Sequence, residues 1–371
     1  MKTHGSRPTR LRLFGVLLAF ALILSGCATD LPHWARAAAG HLSVVKAARP
    51  VPDWIADPAT PEPLRERLRL AQQLREFSVT ELDLPDNASY RRYADLGRSA
   101  VLWNVVAAPE LSLDLKTWCY PVVGCVGYRG HFDLERAQLE AAEWKAQGWE
   151  VAVMPVPAYS TLGWTHLIGG DPLLNTFTHG SPIELARLMF HELSHQVAYA
   201  ADDMAFSESY ATAVEQLGLA HWRSHPSSQA VSPAHWQAWE LRQHRRMELM
   251  DLVRRHREAL QGLYRSRMAD EARRERKAEL KRDFMQHYIT LRDERWQGDT
   301  SFDAWVGSLN NASLALQGSY TDGVPGFIAL FEREGRSFTR FHAAVRDLAR
   351  AEPEQRRRIM KALQDPAGNQ R

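Results

Sequence analysis

Apolar residues recur at helical spacing through Leu64, Leu68, Leu70, Leu74 and Phe77, and Thr60 followed by Pro61 marks a start for that helix. Residues 27–100 therefore read as a mostly helical segment, broken at Leu84-Pro85-Asp86-Asn87. The pattern then changes. Val101-Leu102-Trp103-Asn104-Val105-Val106 and Glu150-Val151-Ala152-Val153-Met154-Pro155-Val156 are rich in β-branched residues and predict strands. A helix from Leu134 to Gln147 lies between them and stops at Gly148, a residue suited to a helix end. From about residue 182 the pattern is helical almost throughout. Between about 235 and 296 acids and bases alternate, as in Arg273-Arg274-Glu275-Arg276-Lys277-Ala278-Glu279, which predicts a solvated pair of long helices. Residues 352–371 hold Pro353, Pro366, Gly368 and many charges and predict a loose tail. The expected class is α+β, mostly helical, divided at 1–26, 27–100, 101–230, 231–351 and 352–371.

The first segment reads as an address and not as fold. Lys2, Arg7, Arg10 and Arg12 precede an apolar run from Leu13 to Leu24 that is too short for a comfortable membrane span. It closes in Leu24-Ser25-Gly26-Cys27, which resembles the lipobox of bacterial lipoproteins. That resemblance implies cleavage after residue 26, lipidation of Cys27, and, with Ala28 in place of Asp, an outer-membrane position facing the periplasm. The overall balance of 46 basic and 44 acidic residues falls to 42 against 44 once the address is removed, so the slight basic excess belongs to the export segment. Near-neutral charge and interleaved acids argue against a nucleic-acid partner. With 45% hydrophobic residues the chain is of ordinary globular composition. In the oxidising periplasm, Cys119 and Cys125, separated by the turn formers Pro121 and Gly124, are expected to form a disulfide; two buried free thiols are the alternative.

The chemistry is carried by His191-Glu192-Leu193-Ser194-His195. On a helix, positions i and i+4 share a face, so both imidazoles converge on one zinc ion while Glu192 stands beside it as general base. Zinc lowers the pKa of a water it binds to about 7, and Glu192 would take the proton as that water attacks a peptide carbonyl. Ser181-Pro182-Ile183-Glu184 supplies an N-cap, an early proline and a glutamate at the reciprocal capping position, and the helix is expected to run to about Tyr199. Thirteen residues after His195, Glu208 opens a second helix striped by Phe206, Tyr210, Ala213, Val214 and Leu217. Folded back antiparallel, it brings Glu208 to the metal as third ligand. The competing third-histidine scheme needs a glycine and a histidine where this chain has Ala198 and Ala201. Glu215 falls two turns after Glu208 on the same face, placed either to orient a ligand imidazole or to lie on the surface.

Phe206-Ser207-Glu208-Ser209-Tyr210-Ala211 resembles the glutamate-bearing segment of gluzincin aminopeptidases. The mature chain is similar to a family of bacterial lipoproteins predicted to be aminopeptidases. The resemblance rests on Trp103-Asn104-Val105, Ala108-Pro109-Glu110, Trp118-Cys119, Tyr128-Arg129-Gly130, Ala158 to Trp164, Phe190 to Gln196, Asn310-Asn311-Ala312 and Tyr320 with Val324-Pro325. It implies a zincin-like catalytic core, zinc as cofactor and a peptide substrate. Tyr320 is the first choice to stabilise the developing oxyanion, with Tyr159 in reserve, although either fits a packing role equally well. Glu110 is the candidate anchor for a substrate amine, with a surface ion pair as its alternative. The chain departs from the pattern at Ser207, where asparagine is usual, and lacks an amine-anchoring G-x-M-E-N segment. An envelope endopeptidase acting on proteins or peptidoglycan, and an inactive scaffold, are the rival functions.

Overall fold

The computed structural model describes residues 31–120, 124–163, 169–201, 203–321 and 323–364, the side chains of 230 and 318–321 excepted. The expected export segment, the expected lipid site Cys27 and residues 365–371 lie outside this set. No helix among the described residues is long and apolar enough to cross a membrane.

The N-terminal part comprises α1 (Leu31–Ala47), β1 (Arg49–Pro50), α2 (Val51–Ala56), α3 (Glu62–Thr80) and β2 (Arg92–Ala94). Leu68, Ala71, Leu74 and Phe77 are the buried stripe of α3. Arg75, also buried on that helix, donates to the carbonyls of Pro85, Asn87 and Ser89 and holds the loop after the helix in place.

The middle part contains β3 (Leu102–Pro109), β4 (Trp118–Tyr120), β5 (Gly124–Val126), β6 (Arg129–His131), α4 (Leu134–Ala146), β7 (Trp149–Val156), β8 (Leu173–Leu174) and α5 (Asn175–Thr178). An antiparallel sheet of order β6-β3-β7 forms here. Side chains alternate across it with a period of two. Val105 and Ala107 face α4, where they meet Ala137 and Ala141. Val106 and Ala108 face the opposite way and meet Ala312 and Leu316 of α11 (Asn311–Thr321). β2 sits between β1 and β8 in a second, smaller sheet. β4 and β5 form a hairpin in which Cys119 and Cys125 are direct cross-strand partners joined by a disulfide.

The remaining chain is helical: α6 (Pro182–Ser194), α7 (Met204–Arg223), α8 (Pro233–Tyr264), α9 (Asp270–Thr290), α10 (Asp303–Gly307), then α11, α12 (Val324–Arg333), α13 (Phe338–Arg350) and α14 (Pro353–Gln364). The charged pair expected between 235 and 296 is α8 packed on α9. The main apolar cluster runs from Val44 to Met360 and surrounds α6 and α7 with α3, α12, α13 and α14.

Three expectations need correction. The tail is not loose between 353 and 364: α14 packs on α12, and Arg356 and Met360, one turn apart, are buried. Arg356 donates to Asp203 and to the carbonyls of Ala349 and Ala351, over the face of Phe206. The metal-motif helix ends at Ser194, with His195 as its C-cap, and does not reach Tyr199. Finally, the Ser181 hydroxyl accepts from the Glu184 amide, but the Glu184 carboxylate turns to Arg187, so only half of the capping box forms.

Candidate metal centre

α6 and α7 pack against each other and carry the site. Ile183, Ala186, Met189, Phe190 and Leu193 are buried on α6, which fixes the rotation of the helix and turns His191 and His195 toward α7. The turn between the helices is set by two side chains. Asp203 caps α7 by accepting from the Phe206 amide, and the buried Ser207 hydroxyl takes the Ala200 amide while donating to the Asp203 carbonyl. Ser207 thus holds the chain reversal that brings Glu208 across to α6.

The result is a converging group of His191, His195 and Glu208, whose ligand atoms lie within 4.8 Å of one another and could hold a metal ion. Glu208 Oε2 is 3.3 Å from His191 Nε2 and 3.8 Å from His195 Nε2. On the other edge of the ring, His191 Nδ1 faces Glu215 Oε2 at 3.3 Å. Glu215 in turn accepts from Arg187 Nη1 at 3.0 Å, and the Nε of the same guanidinium donates to Glu184. Arg187, Glu215 and His191 therefore form a chain of opposite charges that orients the imidazole.

Electrostatics separate the two histidines. Burial pushes both imidazoles down. At His191 the contacts with Glu208 and Glu215 outweigh it, so the imidazole is held protonated well above neutral pH. At His195 burial wins over the attraction of Glu208, and the group falls to about 4, leaving a neutral ring at pH 7. Glu192 is buried behind them. Loss of hydration raises its carboxyl to about 7; the neighbouring charge of His191 opposes this and that of Glu208 adds to it.

The three side chains and Glu192 line one cleft of about 690 Å³. One wall is the end of β7 and the segment after it, from Met154 to Leu162; another is α1, through His33, Ala37 and His41. Tyr159 stands in this wall with its hydroxyl 2.6 Å from His41 Nδ1. Tyr320 belongs to α11, and its side chain lies outside the described set. Two tyrosines to which the sequence assigned no catalytic role also line the cleft. Tyr128 and Tyr199 both have hydroxyls raised by burial and by the charge of Glu208, Tyr199 to about 12. Tyr128 stands in a block that carries the resemblance, but neither tyrosine belongs to a spacing motif that would assign it a role.

Glu110 is not at this site. It follows Pro109 at the end of β3 that pairs with Trp149, whereas the cleft takes the opposite end of β7 at Met154–Val156. Eight residues of strand separate the two ends by roughly 25 Å. The Glu110 carboxylate pairs with Arg274 Nε at 2.9 Å, and its carbonyl accepts from Lys277 and Asn311. The amine-anchor expectation is thereby replaced by a structural one: Glu110 ties α9 and α11 to the sheet. Asn310 and Asn311 act at the same seam, donating to the Val151 and Pro109 carbonyls.

The chain is mostly helical α+β, and two histidines and one glutamate that could hold a metal ion converge in its open cleft. Residues 32–360 match the model of the family described as "Putative aminopeptidase", and the chain belongs to that family. No curated protein and no solved structure matched the chain.

Proposed function

We propose that this protein is a zinc-dependent aminopeptidase with a zincin-like catalytic core, anchored through a lipid on Cys27 to the outer membrane and facing the periplasm. The observation that carries the reading is the convergence of His191, His195 and Glu208 with Glu192 beside them. The donor set fits zinc: two imidazoles and one carboxylate leave a coordination position open, as catalytic sites require. Both Nε2 atoms face Glu208, and the remaining edge of His191 is backed by Glu215, the outer carboxylate that metal-bound histidines commonly have. The three ligand roles, the base and the oxyanion donor are part of the proposal.

A zinc ion held there would supply Lewis acidity and lower the pKa of a water it binds to about 7. Glu192 accepts the proton of the attacking water and delivers it to the departing amine. A carboxyl raised to about 7 is matched to both halves of that transfer near neutral pH. Arg187 and Glu215 hold His191 in one orientation throughout. The oxyanion is stabilised by a tyrosine hydroxyl, Tyr320 by resemblance, with Tyr128 and Tyr199 supported by their sensitivity to the charge of Glu208.

Digestion of a peptide library with mass readout, with and without chelator, tests the reading. The expected products are ladders that lose residues from the N-terminus, absent when chelator is present and absent for N-acetylated peptides. Equal cleavage of free and acetylated peptides would replace the aminopeptidase with an endopeptidase; full digestion in chelator would overturn the metal mechanism.

A further inference from the structure

Among the described residues, the carboxylates that line the cleft are Glu192, Glu208 and Glu215. All three are committed: Glu208 to the histidines, Glu215 to His191 and Arg187, and Glu192 to the buried floor. The cations are committed differently. Arg187 spends its guanidinium on Glu184 and Glu215. Arg246, which reaches the same cleft from α8, has no carboxylate of a described residue within ion-pairing distance and donates no hydrogen bond to a described residue. Its neighbours on α8 are used up elsewhere, Arg245 on Asp299 and the Trp296 carbonyl, and Glu248 on the Trp296 indole.

Arg246 is exposed, at the mouth of that cleft. It lines the cleft together with Glu215, Thr212, Leu316 and Gln317, the wall formed where α7, α8 and α11 meet, away from the α1 wall. Its charge is disfavoured there, first by loss of hydration and then by the neighbouring Arg187, with only partial compensation from Glu215 and Glu184. A cation at the mouth of a peptide-sized cleft with its fork unspent is open to a substrate carboxylate, because guanidinium binds that group in a bidentate geometry no ammonium reproduces.

We infer that Arg246 forms a subsite for a substrate carboxylate, which makes the preferred substrates short peptides whose free C-terminus reaches the α8 wall while the scissile bond lies over His191 and His195. The inference rests on the peptidase reading and deepens it: a site that closes on both a metal centre and a C-terminal carboxylate measures peptide length. An acidic side chain near the C-terminus offers the same chemistry.

The test compares Ala-Ala-Ala, its C-terminal amide and Ala-Ala-Asp amide on the zinc-loaded full chain. The free acid is expected to exceed the plain amide about 10- to 100-fold in kcat/KM, chiefly through KM, as befits a charge-assisted pair. Recovery with the Asp amide extends the same subsite to side-chain carboxylates; no recovery confines it to the chain terminus. In Arg246→Gln the acid-to-amide ratio falls to about one, and in Arg246→Lys it is intermediate. Equal rates for all three peptides, or a ratio that persists in Arg246→Gln, would overturn the subsite. Calorimetric binding of Ala-Ala-Ala and its amide to zinc-loaded Glu192→Gln separates this claim from the activity. A preference for the acid without any cleavage by the unmodified chain supports the subsite and sinks the peptidase, whereas equal affinities sink the subsite.

Discussion

Replacing Arg356 by methionine keeps most of the side-chain volume and removes one charge. The guanidinium is 2% exposed and its partner Asp203 is 20% exposed, so the pair is largely desolvated. Stripping one member from a buried pair costs about 3–5 kcal/mol. The partial exposure of Asp203 lets water reach the orphaned carboxylate and moves the cost to the low end, about 3 kcal/mol. The Ala349 and Ala351 carbonyls also lose a donor, adding up to about 1 kcal/mol. A loss of about 3–4 kcal/mol lowers Tm by roughly 6–8 °C in a chain of this size, at about 2 °C per kcal/mol. Urea and thermal melts of the full chain measure this directly. Arg357, exposed on the neighbouring position of α14, provides the matched control, and its change to methionine should stay within about 0.5 kcal/mol. If Arg356→Met and Arg357→Met shift the melt equally, α14 does not dock on the start of α7, and the account of how the helix carrying Glu208 is capped and braced is wrong.

Other outcomes follow from the same structure. Glu215→Gln, which leaves His191 without its outer carboxylate, should weaken zinc binding about 10- to 100-fold in a chelator competition. Because Glu208 and Glu215 hold His191 protonated in the metal-free chain, zinc must displace that proton; its affinity should rise about tenfold per pH unit between pH 6 and 8, with one proton released in calorimetry. Lack of any dependence on buffer ionisation heat would contradict this. His342, buried with Nδ1 accepting from Tyr210 and Nε2 donating to the Leu82 carbonyl, is pushed down to about 4 by burial. Below about 6.5 the unfolded chain takes up that proton first, so stability is unaffected above this pH and falls by about 2–3 kcal/mol toward pH 4. Urea midpoints at pH 7 and 4.5 should reveal the loss, and His342→Gln should remove that part of the pH slope.

The residues that converge in the candidate site were the legible ones, because their signal is local. The i, i+4 histidines, the glutamate between them and the serine-proline start need only helix geometry to be interpreted, and α6 starts where Ser181 predicts. The β-branched residues from Val101 to Val106 announced a strand, and β3 forms there; that α4 and α11 cover its two faces was not readable. What failed was decided by distant partners. Prolines and charges made 353–364 look like a tail, and only the presence of Asp203 and the face of Phe206, some 150 residues earlier, makes Arg356 a core residue. Val197 and Ala198 continue the apolar pattern of α6, yet the chain must turn after His195 to return Glu208 to it. Strands of two or three residues, such as β1, β2 and β8, hold too few positions to show a period. Arg246 was hidden in a helix crowded with arginines, where a cation that lines a cleft and one that faces open solvent look alike.

The central claim is that His191, His195 and Glu208 hold zinc while Glu192 moves the proton. Glu192→Gln tests it most directly, since the amide is isosteric and leaves the three ligands in place. Freshly purified variant and unmodified chain should each contain one zinc per molecule, and the variant should lose about 10²- to 10⁴-fold in peptide hydrolysis. Undiminished hydrolysis by the variant, or an unmodified chain that hydrolyses peptides with far less than one zinc per molecule, would contradict the account.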